Sequence, residues 1–159
     1  MQTVEEFLAH AIQLEREAAD RFGQLAIAME TSGNRAVAKL FAQLAEYSRL
    51  HLADAQARAG FRTIPRLTPD QFSWPDSESP ESAAIWAADP LIGPDEALET
   101  ALAAETAGLD YYASVLDTAS DPEIIAFARE FVDEEAGHVA ELKRWIAARK
   151  AGETVTLAI

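Results

Sequence analysis

The chain has 159 residues, 49% of them hydrophobic, with 27 acidic against 13 basic side chains, a formal net charge of -14 and no cysteine. That length and apolar content suit one domain over residues 1–159 with a core of its own, while the charge repels phosphate backbones and anionic lipid, so neither nucleic acid nor a membrane is an expected partner. Without cysteine there are no disulfides and no thiolate ligands, so any metal has to be held by oxygen and nitrogen.

The first predicted helix opens at Val4, where Thr3 and Glu6 have the spacing of a capping box. Its apolar stripe runs through Val4, Leu8, Ala11, Ala18, Phe22, Leu25 and Met29 at alternating steps of three and four. His10 falls elsewhere on the helix and reads as a surface residue. This stretch has no basic flank or apolar run, and no segment of the chain is long and apolar enough to span a bilayer, so a soluble, cytoplasmic protein is expected. Ser32, Gly33 and Asn34 supply a tight turn, and a second helix runs from about Arg35 to Gly60 through Val37, Phe41, Leu44 and Ala55.

Six of the seven prolines then fall between Phe61 and Pro94, marking residues 61–93 as a long non-helical crossover. Trp74 and Trp86 within it are expected to anchor it against the bundle or a second subunit. Pro94 suits the first turn of a third helix carrying Leu98, Leu102, Leu109, Tyr112 and Leu116. A fourth follows Ser120, Asp121 and Pro122, with Ser120 and Glu123 spaced as its capping box, and continues to about Lys150 through Ile124, Phe131, Leu142 and Trp145. Two helix pairs with short internal turns and one long connection between helices 2 and 3 describe an all-α four-helix bundle.

Each apolar seam is interrupted near mid-height by polar residues: Glu15 in helix 1, Ser48 and His51 in helix 2, Glu105 in helix 3, Glu135 and His138 in helix 4. A buried, unpaired carboxylate costs several kcal/mol, so three of them with two imidazoles need mutual compensation, which a bound cation supplies. Taken singly, each is more simply a structural residue; their conjunction at one height favours a metal. The two halves also repeat without gaps: "AIQLEREAADRF" (Ala11 to Phe22) over "ALAAETAGLDYY" (Ala101 to Tyr112) sets Glu15 over Glu105, and helices 2 and 4 align through His51 and His138, setting Ser48 over Glu135.

Glu15, Glu105 and the Glu135-x-x-His138 pair match the ligand pattern of di-iron carboxylate bundles. On these residues the chain resembles the ferritin-like superfamily, and most closely its rubrerythrin-type di-iron domain, over essentially its whole length. The resemblance implies iron, with manganese or zinc as alternatives. It makes Glu135 a bridging carboxylate, Glu15 and Glu105 terminal ligands, and His51 and His138 one nitrogen ligand each. The three glutamates become the catalytic residues of an oxidase or peroxidase chemistry using oxygen or peroxide. It also implies a homodimer.

Two departures qualify this expectation. Where the family places a glutamate three residues before His51, this chain has Ser48. Glu46 is no substitute, because two residues along a helix turn its side chain about 200° away, and Tyr47 between them reads as a packing residue. The cysteine-held rubredoxin centre of full-length rubrerythrins is also ruled out, so a catalytic cycle would need a separate electron donor. Tyr112, two turns beyond Glu105, either hydrogen-bonds a ligand carboxylate or fills core space. The competing expectations are a non-catalytic binding or storage protein with a degenerate single-metal site, and a helical interaction module that has lost its cofactor.

Overall fold

The computed structural model describes residues 3–74 and 89–152. Four helices follow in order: α1 (Val4–Thr31), α2 (Arg35–Ala59), α3 (Pro94–Thr118) and α4 (Pro122–Lys150), with one short 3-10 turn, Pro69–Gln71, in the connection between α2 and α3. α1 packs along α2 and α3 along α4, and no strand occurs among the described residues, which makes the architecture a four-helix bundle with a long link between its two pairs. No helix among those residues is long and apolar enough to cross a membrane.

Local chemistry sets the helix ends. The Thr3 side chain accepts the Glu6 amide at 3.1 Å, and Glu5 and Glu6 place negative charge on the exposed amides of the first turn. Gly33, at φ 82°, takes the left-handed conformation that lets α1 turn back into α2. Asn34 then reaches across, donating from its side-chain amide to the Ile92 carbonyl at 2.6 Å and to that of Pro90 at 3.2 Å, so the turn of the first pair is tied to the end of the crossover. At the head of α4 the cap is Asp121, whose carboxylate accepts the Glu123 amide at 2.8 Å, rather than the expected Ser120. Pro122 fits the first helical position because its missing N–H has no partner there anyway.

The core comes in two parts. One contains Phe22, Leu25, Met29, Val37, Phe41, Leu98, Leu142 and Trp145, and the other Phe7, Leu8, Leu14, Tyr111, Tyr112, Ile124 and Phe131. Between them in all four helices lie the polar residues Glu15, Ser48, Glu105 and Glu135, each at most 4% exposed. The stripes of α1, α2 and α4 are buried as the spacing predicts. In α3 the buried face is made of small residues, Ala97, Ala101, Ala104 and Gly108, with Tyr111 and Tyr112, while Leu102, Leu109 and Leu116 are only half buried. Small side chains let a backbone approach its neighbours closely, and the leucines then flank the contact instead of filling it.

His10 corrects the sequence reading: it is buried, at 2% exposure. Its Nε2 accepts the Ser73 amide at 2.9 Å and its Nδ1 lies 2.8 Å from the Glu6 carbonyl, a pairing that places the ring proton on Nδ1. The imidazole packs edge-on against Phe72 and Trp74, with ring centres 5.0 and 4.9 Å away. Trp74 therefore does anchor the crossover on α1. Trp86, Pro75 and Pro80 lie outside the described residues.

Candidate metal centre

The mid-height residues converge. His51 of α2 and His138 of α4 stack with ring centres 3.8 Å apart and an interplanar angle of 12°. His51 Nδ1 faces Glu15 of α1 at 3.8 Å, and His138 Nδ1 faces Glu105 of α3 at 3.7 Å and Glu135, one turn back on its own helix, at 3.6 Å. One donor atom each from His51, Glu135 and His138 can be chosen so that all lie within 4.8 Å of one another, close enough for a single cation to touch all three. Glu15 and Glu105 each adjoin one of those histidines, so all five residues expected from the sequence belong to one cluster.

The helices dictate this placement. Glu135 and His138 are three residues apart and so share a face, and the buried Phe131 and Leu142 on either side turn that face inward. Glu15 lies between the buried Ala11 and Ala18, and Glu105 between Ala101 and Gly108. The repeat between the halves is visible in space too: Asp20 and Asp110, aligned in sequence, both point to solvent.

Burial and mutual repulsion decide the charge state. Burial, then the Glu135 and Glu105 carboxylates, push Glu15 well above the ordinary carboxylate range, which favours its protonated form. Burial acts the same way on Glu105, but its interactions with Glu135 and His138 outweigh it and hold this group down at about 2. At 3.7 Å the His138 contact is too long for a direct hydrogen bond. His51 is pushed down to about 4 by burial and by the neighbouring imidazole of His138, so at neutral pH it presents a free lone pair. Within the cluster, the buried Glu105 Oε2 and His138 Nδ1 find no hydrogen-bond partner among the described residues. Such orphans are costly in a dry interior, and a cation between them would satisfy both.

Tyr47 is a neighbour the sequence reading did not foresee. Its half-buried ring meets His51 and His138 edge-on, with centres 4.5 and 4.7 Å away. Burial, then Glu105 and Glu135, raise its hydroxyl to about 12, keeping it protonated. The only sequence signal was the four-residue step from Tyr47 to His51. Glu46 points away and pairs with Arg49 at 2.9 Å, and Ser48 is 1% exposed in the position aligned with Glu135. Tyr112 packs among Phe7, Tyr111 and Phe131 in the aromatic half of the core. Beside the centre, Arg58 of α2 binds Glu130 and Glu134 of α4 at 2.5 and 2.6 Å and Asp54 at 3.2 Å, which clamps the two histidine-bearing helices together.

The fold and cluster define a class: a helical bundle with a buried histidine and glutamate group suited to a divalent cation. No protein-family model matches the chain, and no curated protein matches it. Among solved structures, an uncharacterized conserved protein from Magnetospirillum magnetotacticum MS-1, COG1633, is similar at 33% identity over 99% of both chains, with a TM-score of 0.68. The chain belongs to that COG1633 family.

Proposed function

We propose that the chain is a ferritin-like protein of the rubrerythrin type that binds iron at the mid-bundle cluster and reacts there with peroxide or oxygen. The observation that carries this reading is the convergence of three buried carboxylates and two imidazoles from four helices, with Glu105 Oε2 and His138 Nδ1 buried and finding no hydrogen-bond partner among the described residues. Oxygen and nitrogen donors in this mixture suit Fe(II), with Mn(II) and Zn(II) next.

Glu135, which neighbours Glu15, Glu105 and His138, would serve as the shared carboxylate, with Glu15, His51, Glu105 and His138 as the remaining ligands. Glu15, whose hold on its proton is strengthened, would have to release it to become a charged ligand, whereas the neutral His51 would offer its lone pair directly. Leu14, Ala18, Ala101 and Ala104, close to Glu15 and Glu105 along α1 and α3, are buried, and the Tyr47 ring lies against both histidines. Ferrous iron would supply electrons for the reduction of peroxide, two per molecule reduced to water. A separate donor would return them, because the chain has no cysteine-held centre.

Ser48 supports a second reading. It removes the carboxylate that would match Glu135 in the other half, and the compact donor group of His51, Glu135 and His138 suits one ion. Anaerobic Fe(II) titration of metal-free protein, in wild type and in Ser48→Glu, separates these. About two ions per chain in both supports the di-iron reading, about one rising to two makes a single-metal site of the natural protein, and none in either leaves a cofactor-free module. Peroxide-dependent oxidation of bound Fe(II) no faster than in His138→Ala would refute the reaction while leaving the binding.

A further inference from the structure

A second concavity lies away from the metal centre, between α1, the C-terminal half of α2 and the start of the crossover. It encloses about 460 Å³, within the range of small-molecule sites. Ala9, Ile12, Ile64, Leu67 and Phe72 supply apolar surface, and Arg16, Arg66, Gln13 and Gln56 supply the polar lining. We propose that this cleft binds a small molecule carrying a carboxylate on an apolar body, the carboxylate between Arg16 and Arg66 and the body against Ile12, Ile64 and Phe72.

Three observations support this. The first is charge. In a chain of net charge -14, Arg49, Arg58, Arg62, Arg144 and Arg149 are each committed to acidic partners; among the described residues Arg16 and Arg66, like Arg21, Arg35 and Arg129, form no ion pair, and these two meet in one cleft. Both line the same cleft, making a cationic spot on an anionic surface, and a planar carboxylate matches the forked geometry of a guanidinium. Glu17, beside the lining, accepts a hydrogen bond from the Gln13 amide at 2.7 Å.

The second is that the crossover wall is fixed. Phe72 packs on the His10 ring and stacks on Trp74 at 5.5 Å with an interplanar angle of 3°, and the Ser73 amide beside it is bonded to His10. On its other side Thr68 and Gln71 cap the 3-10 turn, the Thr68 amide donating to Gln71 Oε1 at 2.8 Å. A wall held at both ends loses little entropy when a ligand docks. The third is the separation of chemistry within the lining: an apolar wall with a cationic pair selects an amphiphile over a bare anion.

Calorimetric titration at low salt would use octanoate, inorganic phosphate as a charged group without the body, and octan-1-ol as a body without the charge. The expected result is saturable octanoate binding, with weaker binding of the other two. Arg16→Gln and Arg66→Gln should each weaken octanoate about tenfold, the effect of one charge-assisted contact, while Arg49→Gln, at an arginine paired within its own helix, should not. Both arginines are exposed, so neither change disturbs the core, and Ile64→Glu, which sets a like charge against the carboxylate, should abolish binding. Absence of saturable octanoate binding, equal affinity for phosphate or octan-1-ol, or indifference to both arginine changes would overturn the proposal.

Discussion

His51 and His138 stack face to face at 3.8 Å although one belongs to the first helix pair and the other to the second. Two imidazoles this close disfavour each other's charge, which is part of why His51 is lowered to about 4. The contact fixes how the two pairs meet, and it makes the charge state of the centre a matter of stability as well as ligation.

That gives the metal-free protein a particular pH profile. Folded His51 accepts a proton only near pH 4 whereas the unfolded residue does so near 6.5, so its contribution to stability is complete above 6.5 and is lost as pH falls toward 4. Glu15 has the opposite sign. Its raised value means that its contribution is complete below 4.5 and is lost as pH rises. Glu134, also raised by burial, acts in the same direction as Glu15. Urea melts of wild type and Glu15→Gln should therefore diverge as pH rises above 4.5, the variant losing less stability; parallel profiles would contradict a raised, buried Glu15.

Metal loading should stabilise the native state. Selective binding at a hundredfold excess over Kd is worth about 2.7 kcal/mol, so anaerobic Fe(II) should raise the melting temperature and a chelator should reverse the rise. His138→Ala removes a donor directly. It should weaken binding by about a hundredfold or more, since even groups that only orient a ligand are worth about 10- to 100-fold. An unchanged melting temperature in wild type would remove the metal from the account of this fold.

The crossover hangs on His10. Replacing it with Ala deletes the acceptor for the Ser73 amide and the ring on which Phe72 and Trp74 pack. Each lost hydrogen bond costs about 0.5–1.5 kcal/mol, and the loss falls on the connection rather than on the helices. Limited proteolysis should accelerate within residues 61–93 while circular dichroism keeps its helical signal.

Phe7 tests the aromatic half of the core. Its ring is fully buried and meets Tyr112 at 6.2 Å and Phe131 at 6.0 Å, linking α1 to both α3 and α4. Phe7→Ala should destabilise by about 3–5 kcal/mol through lost burial and the cavity left behind, measured by chemical denaturation. A cost below about 1 kcal/mol would mean that the bundle collapses around the gap.

The sequence by itself determined the four helices, their inward faces in α1, α2 and α4, and the six polar positions at mid-height. A 3.6-residue period reports which side of a helix is buried, and an ionisable residue on that side stands out against its neighbours. It also set Ser48 in register with Glu135, by the alignment of the two halves. What periodicity cannot report is how non-helical chain lies on a helix face or which helices become neighbours. His10 looked exposed because its cover, Phe72 to Trp74, arrives from more than sixty residues away. Tyr47 stands against His138, and Arg58 grips Glu130 and Glu134, only because α2 and α4 adjoin. Leu102, Leu109 and Leu116 of α3 yielded the centre of the contact to alanine and glycine because close backbone packing, not side-chain size, sets the fit there. Those outcomes depend on which surfaces meet, and tertiary structure alone decides that.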